Sequence, residues 1–581
     1  MKPNPTAKTP AEVAADKAQA ELHECIAKGR SVLLEAGAGA GKTYSLIEAL
    51  KYLIKNRGPE LLRNRQQIAC ITYTNVATDE IKSRTDGHPA ILSSTIHSFC
   101  WSLIKDFQPY LRTKVPTLKE FDQKLADIGG TVGNRRIEYD LGHRTVSDTQ
   151  VALWHDDVIA LMVALMEEEK FRAVLTARFP VILIDEYQDM NKDFAESLKK
   201  HFLETGKGPL VCFFGDHWQK IYSGVCGKIE HGSLAVVKKG ANFRSAKGIV
   251  EVLNRMRPDL PQAVSDPNAV GTAVVYHTNS WAGVRRTESH WKGDLPESDA
   301  HKYLDALKAQ LQAAGWQFDG GATKILMLTN NLLAEEQGYG SFNEIFSYPE
   351  SYLKKEDPYI AFFTDTVEPV CMAYQSKRYG NMFAALDART PRILAHSDKD
   401  AWKRDIEDLV KLREVGSIAD VIGHLRKTQR PRLPEPLERR EAEFEKYVAS
   451  SPAEEDAKME LRKKLGAVAY KEVVALDRFI DDKTPFSTKH GVKGAEFENV
   501  LVVVGRGWNL YDFNQMLEWF ANGVPKGKES TFERNRNLFY VTCSRPRTRL
   551  AVLFTQKLSL PALTTLRTWF GTEAVKEAVL V

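Results

Sequence analysis

An α/β protein with two parallel β-sheets, each interrupted by an inserted domain, is what this sequence predicts. Three observations carry the prediction. Short continuous apolar runs recur, each followed by a Gly-rich or polar turn and then a helical pattern: SVLLEAG (31–37), QQIACITYT (66–74), FPVILIDE (179–186), PLVCFFGD (209–216), TKILMLTN (323–330) and ENVLVVVG (498–505). Runs that are apolar at successive positions suit strands buried on both faces by helices. The runs end in Gly, Asp or Glu, so polar chemistry falls at the carboxyl ends of the strands, where open α/β sheets bind ligands. The last run stands far from the others, with long helical material between, which calls for a second sheet.

The spacing divides the 581 residues into a first sheet domain (1–99 and 179–243), an insertion of mixed helix with a polar middle (100–178), a second sheet domain (244–335 and 484–581) and a mostly helical insertion (336–483). At about 150 residues per domain, that partition suits the length. The stretch RKTQRPRLPEPLERREAEFEK (426–446) mixes both charges and reads as a solvated helix face or a linker. The net charge of +4, from 80 basic and 76 acidic residues, does not argue for nucleic acid, so any phosphate-binding surface must be a local groove. The seven cysteines form no C-x-x-C pair and several lie in apolar runs, as expected of buried free thiols in a reducing cytoplasm. No window reaches the roughly 20 apolar residues of a membrane helix, so no membrane association is expected.

Two motifs carry chemistry. AGAGAGKT (36–43) follows a strand and opens a helical pattern. Its glycines let the backbone N–H groups of Ala36, Gly37, Ala38, Gly39, Ala40 and Gly41 curl around phosphates. Lys42 brings positive charge to the terminal phosphates, and Thr43 offers a hydroxyl to Mg²⁺. A glycine-rich turn without a ligand is the plain alternative, which G-K-T in a strand–loop–helix setting disfavours. VILIDEYQD (181–189) is an apolar strand ending in two carboxylates. Asp185 is placed to hold Mg²⁺ and Glu186 to orient or deprotonate the attacking water. Alone this pair is common; beside a phosphate loop it completes a hydrolytic set.

These two segments resemble the A-G-A-G-S-G-K-T and D-E-F-Q-D motifs of the UvrD/Rep helicases of superfamily 1. Further resemblances follow in order: ITYTNVATDEIKSR (71–84), STIHSF (94–99), GDHWQKIY (215–222), NFRS (242–245), HGVKGAEF (490–497) and YVTCSRP (540–546). The resemblance implies two RecA-like P-loop NTPase domains with ATP and Mg²⁺ between them. Lys42, Thr43, Asp185, Glu186 and Gln219 would come from the first domain, with Arg244 and Arg545 reaching across to the transferred phosphoryl. Phe243 would stack on adenine and Glu496 would accept a ribose hydroxyl. Gln19 is the candidate for the base-reading glutamine, at a longer spacing than the family's. For DNA, the resemblance implies stacking on Tyr73 and Tyr222 and contacts from Asn75, His97 and His490. A lone histidine is more commonly a packed core residue, so that reading stays open for both.

One departure bears on DNA. The family's tryptophan after G-D-x-x-Q-S-I-Y is missing; the chain reads Tyr222-Ser223-Gly224-Val225. Either a stacking platform is lost or Trp218 supplies one from another direction. The implied activity is DNA-dependent ATP hydrolysis with 3′ to 5′ movement along single-stranded DNA or into a tailed duplex. In size and motif style the chain is also similar to helicase-like subunits of Gabija-type anti-phage systems, which accompany an OLD-family nuclease. A stand-alone repair helicase and an ATP-gated DNA sensor that controls a partner nuclease are the alternatives.

Overall fold

The computed structural model of the chain describes residues 8–126, 129–139, 144–222, 224–288, 291–318, 321–328, 337–346, 350–386, 390–391, 393–450, 456–480, 486–488, 495–506 and 511–580. Strands β1 (Val32–Ala36), β2 (Ile68–Thr72), β3 (Ile91–Thr95), β7 (Val181–Ile184), β8 (Leu210–Gly215) and β9 (Ala235–Lys239) form a six-stranded sheet in the order β3-β2-β7-β8-β1-β9. Every pairing in it is parallel. The apolar runs are continuous because each strand serves two cores. Val32, Leu34, Cys70, Leu183 and Phe214 pack toward the helices Pro10–Ala27 and Lys42–Arg63. Leu33, Ala69, Ile71, Ile184 and Phe213 pack on the other face.

That second face shares its core with the first insertion. Ile137, Val151, Leu153 and Ile159 join the same cluster as the strand residues. The insertion is not wholly helical: β4 (Arg136–Tyr139), β5 (Thr145–Val146) and β6 (Gln150–Leu153) make a small three-stranded sheet beside the helix His155–Met166.

Short strands β10 (Ala241–Asn242) and β11 (Ala263–Val264) pair beside the crossing to the second sheet. The second sheet is built of β12 (Thr272–His277), β13 (Thr323–Met327), β14 (Phe486–Thr488), β15 (Phe497–Val504), β16 (Pro546–Phe554) and β17 (Val575–Glu577), ordered β14-β13-β15-β16-β12-β17. It too is parallel throughout. Leu326, Val500, Val502 and Leu550 face one core, while Ile325, Leu501, Val503 and Leu553 face another that runs on into the second, helical insertion through Ile360, Leu409 and Val421. The protein is therefore α/β, with two parallel sheets and helical insertions.

The charged stretch 426–446 is not simply solvated. The helix Glu435–Ser450 buries Leu437 and Glu441, and Glu441 accepts hydrogen bonds from Arg462 at 2.5 and 2.8 Å and from the Tyr359 hydroxyl at 2.6 Å. Its outer face matches the expectation, with Arg426 bridging Glu438 and Glu445. All seven cysteines are free, and all but the half-buried Cys226 are buried. Among the described residues no helix is long and apolar enough to cross a membrane.

Within the helical insertion, Arg413 and Glu368 form a bidentate ion pair away from water, with side chains 7% and 1% exposed. Removing one partner of such a pair strands the other charge. Arg413→Ala should therefore lower stability by about 3–5 kcal/mol in chemical denaturation, whereas Arg413→Met with Glu368→Met should cost less.

Candidate functional site

The site is built where β1 ends. The loop after Ala36 turns through Gly39 (φ +72°) and Gly41 (φ +70°), left-handed conformations that glycine adopts without a Cβ clash. The helix Lys42–Arg63 starts immediately afterwards, so its free N–H groups and its dipole point into the loop. Space is as restrictive as conformation. A Cβ on Gly39 would lie 2.8 Å from Arg244 Cβ, and one on Gly37 would lie 2.7 Å from Gln262 Nε2.

Residues at the end of β9 and beyond it grip this loop. Phe243 N–H donates to Gly39 O at 2.9 Å, and Asn242 Nδ2 and Gln262 Nε2 donate to Ala38 O at 3.2 and 3.0 Å. Lys239 Nζ donates to Gly41 O at 2.9 Å and to Ser45 Oγ at 2.8 Å. Burial, with Lys42 nearby, pushes the Lys239 pKa down to about 8.

The carboxylates stand at the end of β7. Asp185 is buried, and Glu186 has φ +47°, a left-handed backbone that costs a non-glycine residue energy and is held by its surroundings. Lys42 Nζ lies 3.7 Å from Glu186 Oε1. Burial, then the neighbouring Glu186, raises the Asp185 pKa to about 7, with Lys42 opposing. Gln188 Nε2 donates to Glu186 Oε2 at 2.5 Å. At the end of β8, Gln219 Nε2 donates to Asp216 Oδ2 at 2.9 Å, and Gln219 Oε1 accepts from Arg545 Nη2 at 3.4 Å. Arg545 is only 1% exposed; burial and the nearby Arg244 push its pKa down to about 9.

Lys42, Glu186, Gln219, Arg244 and Arg545 thus converge from both sheets. Arg244 Nε donates to Glu496 Oε2 at 2.9 Å and its Nη1 to Ser544 O at 3.2 Å. Glu496 is also paired with Arg547, so the carboxylate expected at a ribose is held by two guanidiniums. Phe243 is 44% exposed beside Gly41, with its ring available for stacking. Gln19 lies against the start of the loop's helix, its Nε2 3.4 Å from Ser45 O and 2.9 Å from His23 Nε2.

The residues expected at DNA are spread along the carboxyl edge of the first sheet. Tyr73 follows β2, half-buried, with its hydroxyl donating to Asp189 O. Asn75 opens the helix Asn75–Arg84 and is exposed, and Tyr222 is 42% exposed. His97 is half-buried, its ring 4.8 Å from that of His155 in the first insertion; burial, then His155, pushes its pKa down. His490 lies outside the described residues. Trp218 supplies no substitute platform: it is 7% exposed, with the Arg536 guanidinium 3.9 Å from its ring and Tyr540 edge-on at 5.3 Å.

Sequence reasoning missed Lys239, Gln262 and Gln188. Gln188 stood inside a quoted motif. Lys239 and Gln262 gave no signal, because nothing local to either shows that it meets the loop.

Two parallel sheets with a phosphate loop, paired carboxylates and arginines from the opposite side are the parts of a P-loop NTPase. Residues 19–225 match the family model described as "AAA domain". Along nearly its whole length the chain is similar to the Gabija protein GajB of Bacillus cereus (strain HuB5-5): 25% identical over 680 residues, covering 92% of this chain and 94% of that protein. It is also similar to the ATP-dependent DNA helicase UvrD1 of Mycobacterium leprae (strain TN), 25% identical over 307 residues, covering 41% of this chain and 38% of that one. The ATP-dependent DNA helicase PcrA of Bacillus subtilis (strain 168) is 27% identical over 285 residues, covering 39% and 37%. The likeness to the helicases therefore spans well under half of their length. Together these relatives make the chain a helicase-like ATPase.

Gly39→Ala should weaken nucleotide binding about tenfold, since a left-handed alanine costs roughly 1–2 kcal/mol before the clash with Arg244 is counted. Equilibrium titration with a fluorescent ATP analogue checks this; unchanged affinity would mean the loop does not touch the nucleotide.

Proposed function

We propose that this protein is a DNA-dependent ATPase that moves 3′ to 5′ along single-stranded DNA and acts in anti-phage defence beside an OLD-family nuclease. The observation that carries the reading is the convergence of Lys42 and Glu186 with Gln219 and Arg545, which come from different sheets. Hydrolysis tied to movement needs a site completed from two bodies, so that nucleotide state and domain closure depend on each other. The expected partition supports this: residues 1–99 and 179–243 would form one body, 244–335 and 484–581 the other, with 100–178 and 336–483 inserted.

Each residue has a task that its surroundings suit. The loop N–H groups and Lys42 cradle the phosphates. Glu186 orients the attacking water, held at one oxygen by Gln188 and facing Lys42 at the other. Arg244 and Arg545 neutralise charge developing on the phosphoryl, and Gln219 couples Arg545 to the first sheet. Phe243 stacks on the base, Gln19 reads it, and Glu496 meets the ribose once released from Arg244. Thr43 and Asp185 fit Mg²⁺, because a hydroxyl and a carboxylate are the hard oxygen donors that ion takes. When bound, Mg²⁺ neutralises phosphate charge; a buried carboxyl raised to about 7 beside a second carboxylate is a place a cation would stabilise.

A second reading, an ATP-gated DNA sensor without processive unwinding, is favoured by one observation. Gly224 stands where the relatives' tryptophan would, and Trp218 is enclosed. Tyr73, Asn75, His97, Tyr222 and His490 would then hold DNA with a weaker grip.

Steady-state ATP hydrolysis with and without single-stranded DNA tests the first reading. DNA should stimulate turnover, and Glu186→Gln should lose about 10²–10⁴-fold while still binding ATP. Near-normal turnover in Glu186→Gln would sink the assigned role. For the grip, Tyr222→Ala should weaken single-stranded DNA binding by about 1–3 kcal/mol. On a 3′-tailed duplex the isolated chain should unwind poorly and improve when an OLD-family nuclease from the same genome is added. Rapid unwinding alone would favour an ordinary helicase.

A further inference from the structure

Arg257 belongs to no motif of the site, yet it is among the largest fully buried side chains in the molecule, 1% exposed. It follows the helix Lys247–Met256, which packs on the second sheet through Ile249, Val252 and Leu253 against Val275, Val502 and Leu550. Its guanidinium reaches back to the first sheet. Nη2 donates to Glu35 Oε1 at 2.7 Å, near the end of β1, and Nη1 donates to Asp216 Oδ1 at 2.6 Å, just after β8. Trp218 packs against it, with the guanidinium carbon 5.2 Å from the ring. The other ionisable groups facing the cluster include His217, whose Nδ1 lies 2.6 Å from Glu35 Oε1, the exposed Asp259, 3.7 Å from Arg257 Nε, the buried Tyr540 and Tyr187, and the cations Lys42 and Arg536.

Asp216 is the junction from which two hydrogen-bonded branches reach the nucleotide site. Along one, its Oδ2 accepts from Gln219 Nε2 at 2.9 Å and Gln219 Oε1 accepts from Arg545 at 3.4 Å. Along the other, its backbone N–H donates to Gln188 Oε1 at 2.9 Å and Gln188 Nε2 donates to Glu186 at 2.5 Å. A carboxylate with no exposure to water keeps its place and its charge only if a cation is supplied inside the protein. Arg257 is that cation.

We propose that Arg257 is a positioning residue for ATP hydrolysis: it clamps the carboxyl ends of β1 and β8 from the second sheet's side and so sets Gln219 and Glu186 for the reaction together. The proposal rests on the site reading above. It adds that the clamp exists only while the two sheets are in register, so assembly of the hydrolytic residues is tied to their approach. Loss of the guanidinium frees Asp216 to rotate or to admit water. Gln219 then loses its fixed acceptor, and the turn that carries the Asp216 N–H bound by Gln188 loses the side-chain bond to Trp218 N–H that holds it, while the phosphate loop is left intact.

Four variants decide it: Arg257→Gln, Arg257→Lys, Asp259→Asn and Lys42→Ala, each assayed for kcat, equilibrium ATP affinity and thermal melting. Arg257→Gln should lose about 10²-fold in kcat, the scale expected when a remote change displaces a catalytic group. Its ATP affinity should change by less than about threefold, because the lost interaction acts after binding. Arg257→Lys, which keeps the charge but cannot span both carboxylates, should fall between it and the unaltered protein, and Asp259→Asn should match the unaltered protein. A kcat for Arg257→Gln close to the unaltered value overturns the proposal, as does a kcat loss matched by equal loss of ATP affinity, which marks a structural role. If Arg257→Gln does not fold, Arg257→Lys and Glu35→Gln decide by the same split between kcat and affinity. Retention of turnover in Lys42→Ala would instead overturn the site reading itself, whatever Arg257 does.

Discussion

The molecule's central constraint is a charge with no water. Asp216 follows β8 in the middle of the first sheet and is completely enclosed, so everything around it has to satisfy a carboxylate. Burial alone would push its pKa up; Arg257, then Lys42, more than offset that and hold it below the ordinary value. Its oxygens accept from Trp218 N–H, Gln219 and Arg257, leaving little freedom to rotate. Single charge-assisted hydrogen bonds are modest, but a buried carboxylate whose two oxygens are both engaged is held in one arrangement. The positions of Gln219 and Gln188, and through them Arg545 and Glu186, follow from that arrangement.

Much of this was legible in the sequence, for a physical reason. A strand buried on both faces must be apolar at successive positions, so SVLLEAG, IACIT and VLVVV announced themselves, and the chemistry sat where each run turned polar. Lys42, Asp185 and Glu186 stood out as candidates because a phosphate loop and paired carboxylates follow strands, and Gln219 only through the motif resemblance. Contacts between distant segments were not. Glu35 sits in an apolar strand as a visible anomaly, but nothing local names Arg257 as its partner, 222 residues away. Lys239 reads as an ordinary strand-end lysine until its Nζ is found on Gly41 and Ser45. The stretch 426–446 misled in part, because a mixed-charge helix looks solvated whether or not one of its acids, Glu441, has a buried arginine waiting.

The insertions are joined to their sheets more closely than inserted domains need be. One face of the first sheet shares a single apolar core with the first insertion, and one face of the second sheet shares a core with the helical insertion. Close-packed interiors transmit displacement rather than absorb it. A shift of β15 relative to β13 would be felt at Ile360 and Leu409 in the helical insertion. The same holds at His97, which lies between the carboxyl edge of the first sheet and His155 of the first insertion. A residue that packs between two bodies can still report on DNA, so the packed and the functional readings of His97 are compatible.

The two halves of the proposed cycle are unequally equipped. On the nucleotide side every buried charge in the Arg257–Asp216–Gln219 set has its partner, and the loop is gripped by Lys239, Asn242, Phe243 and Gln262. On the DNA side the tyrosines are fewer and one is tethered, Tyr73 through its hydroxyl to Asp189 O. Trp218, the aromatic that might have served as a platform, is instead packed between Arg257 and Arg536 beside Tyr540. Its large face is used to seal the clamp at Asp216. The same side chain cannot both seal a buried charge network and stack on a base, so on the proposed function the chain would favour a firmly assembled hydrolytic site over a strong hold on single strands.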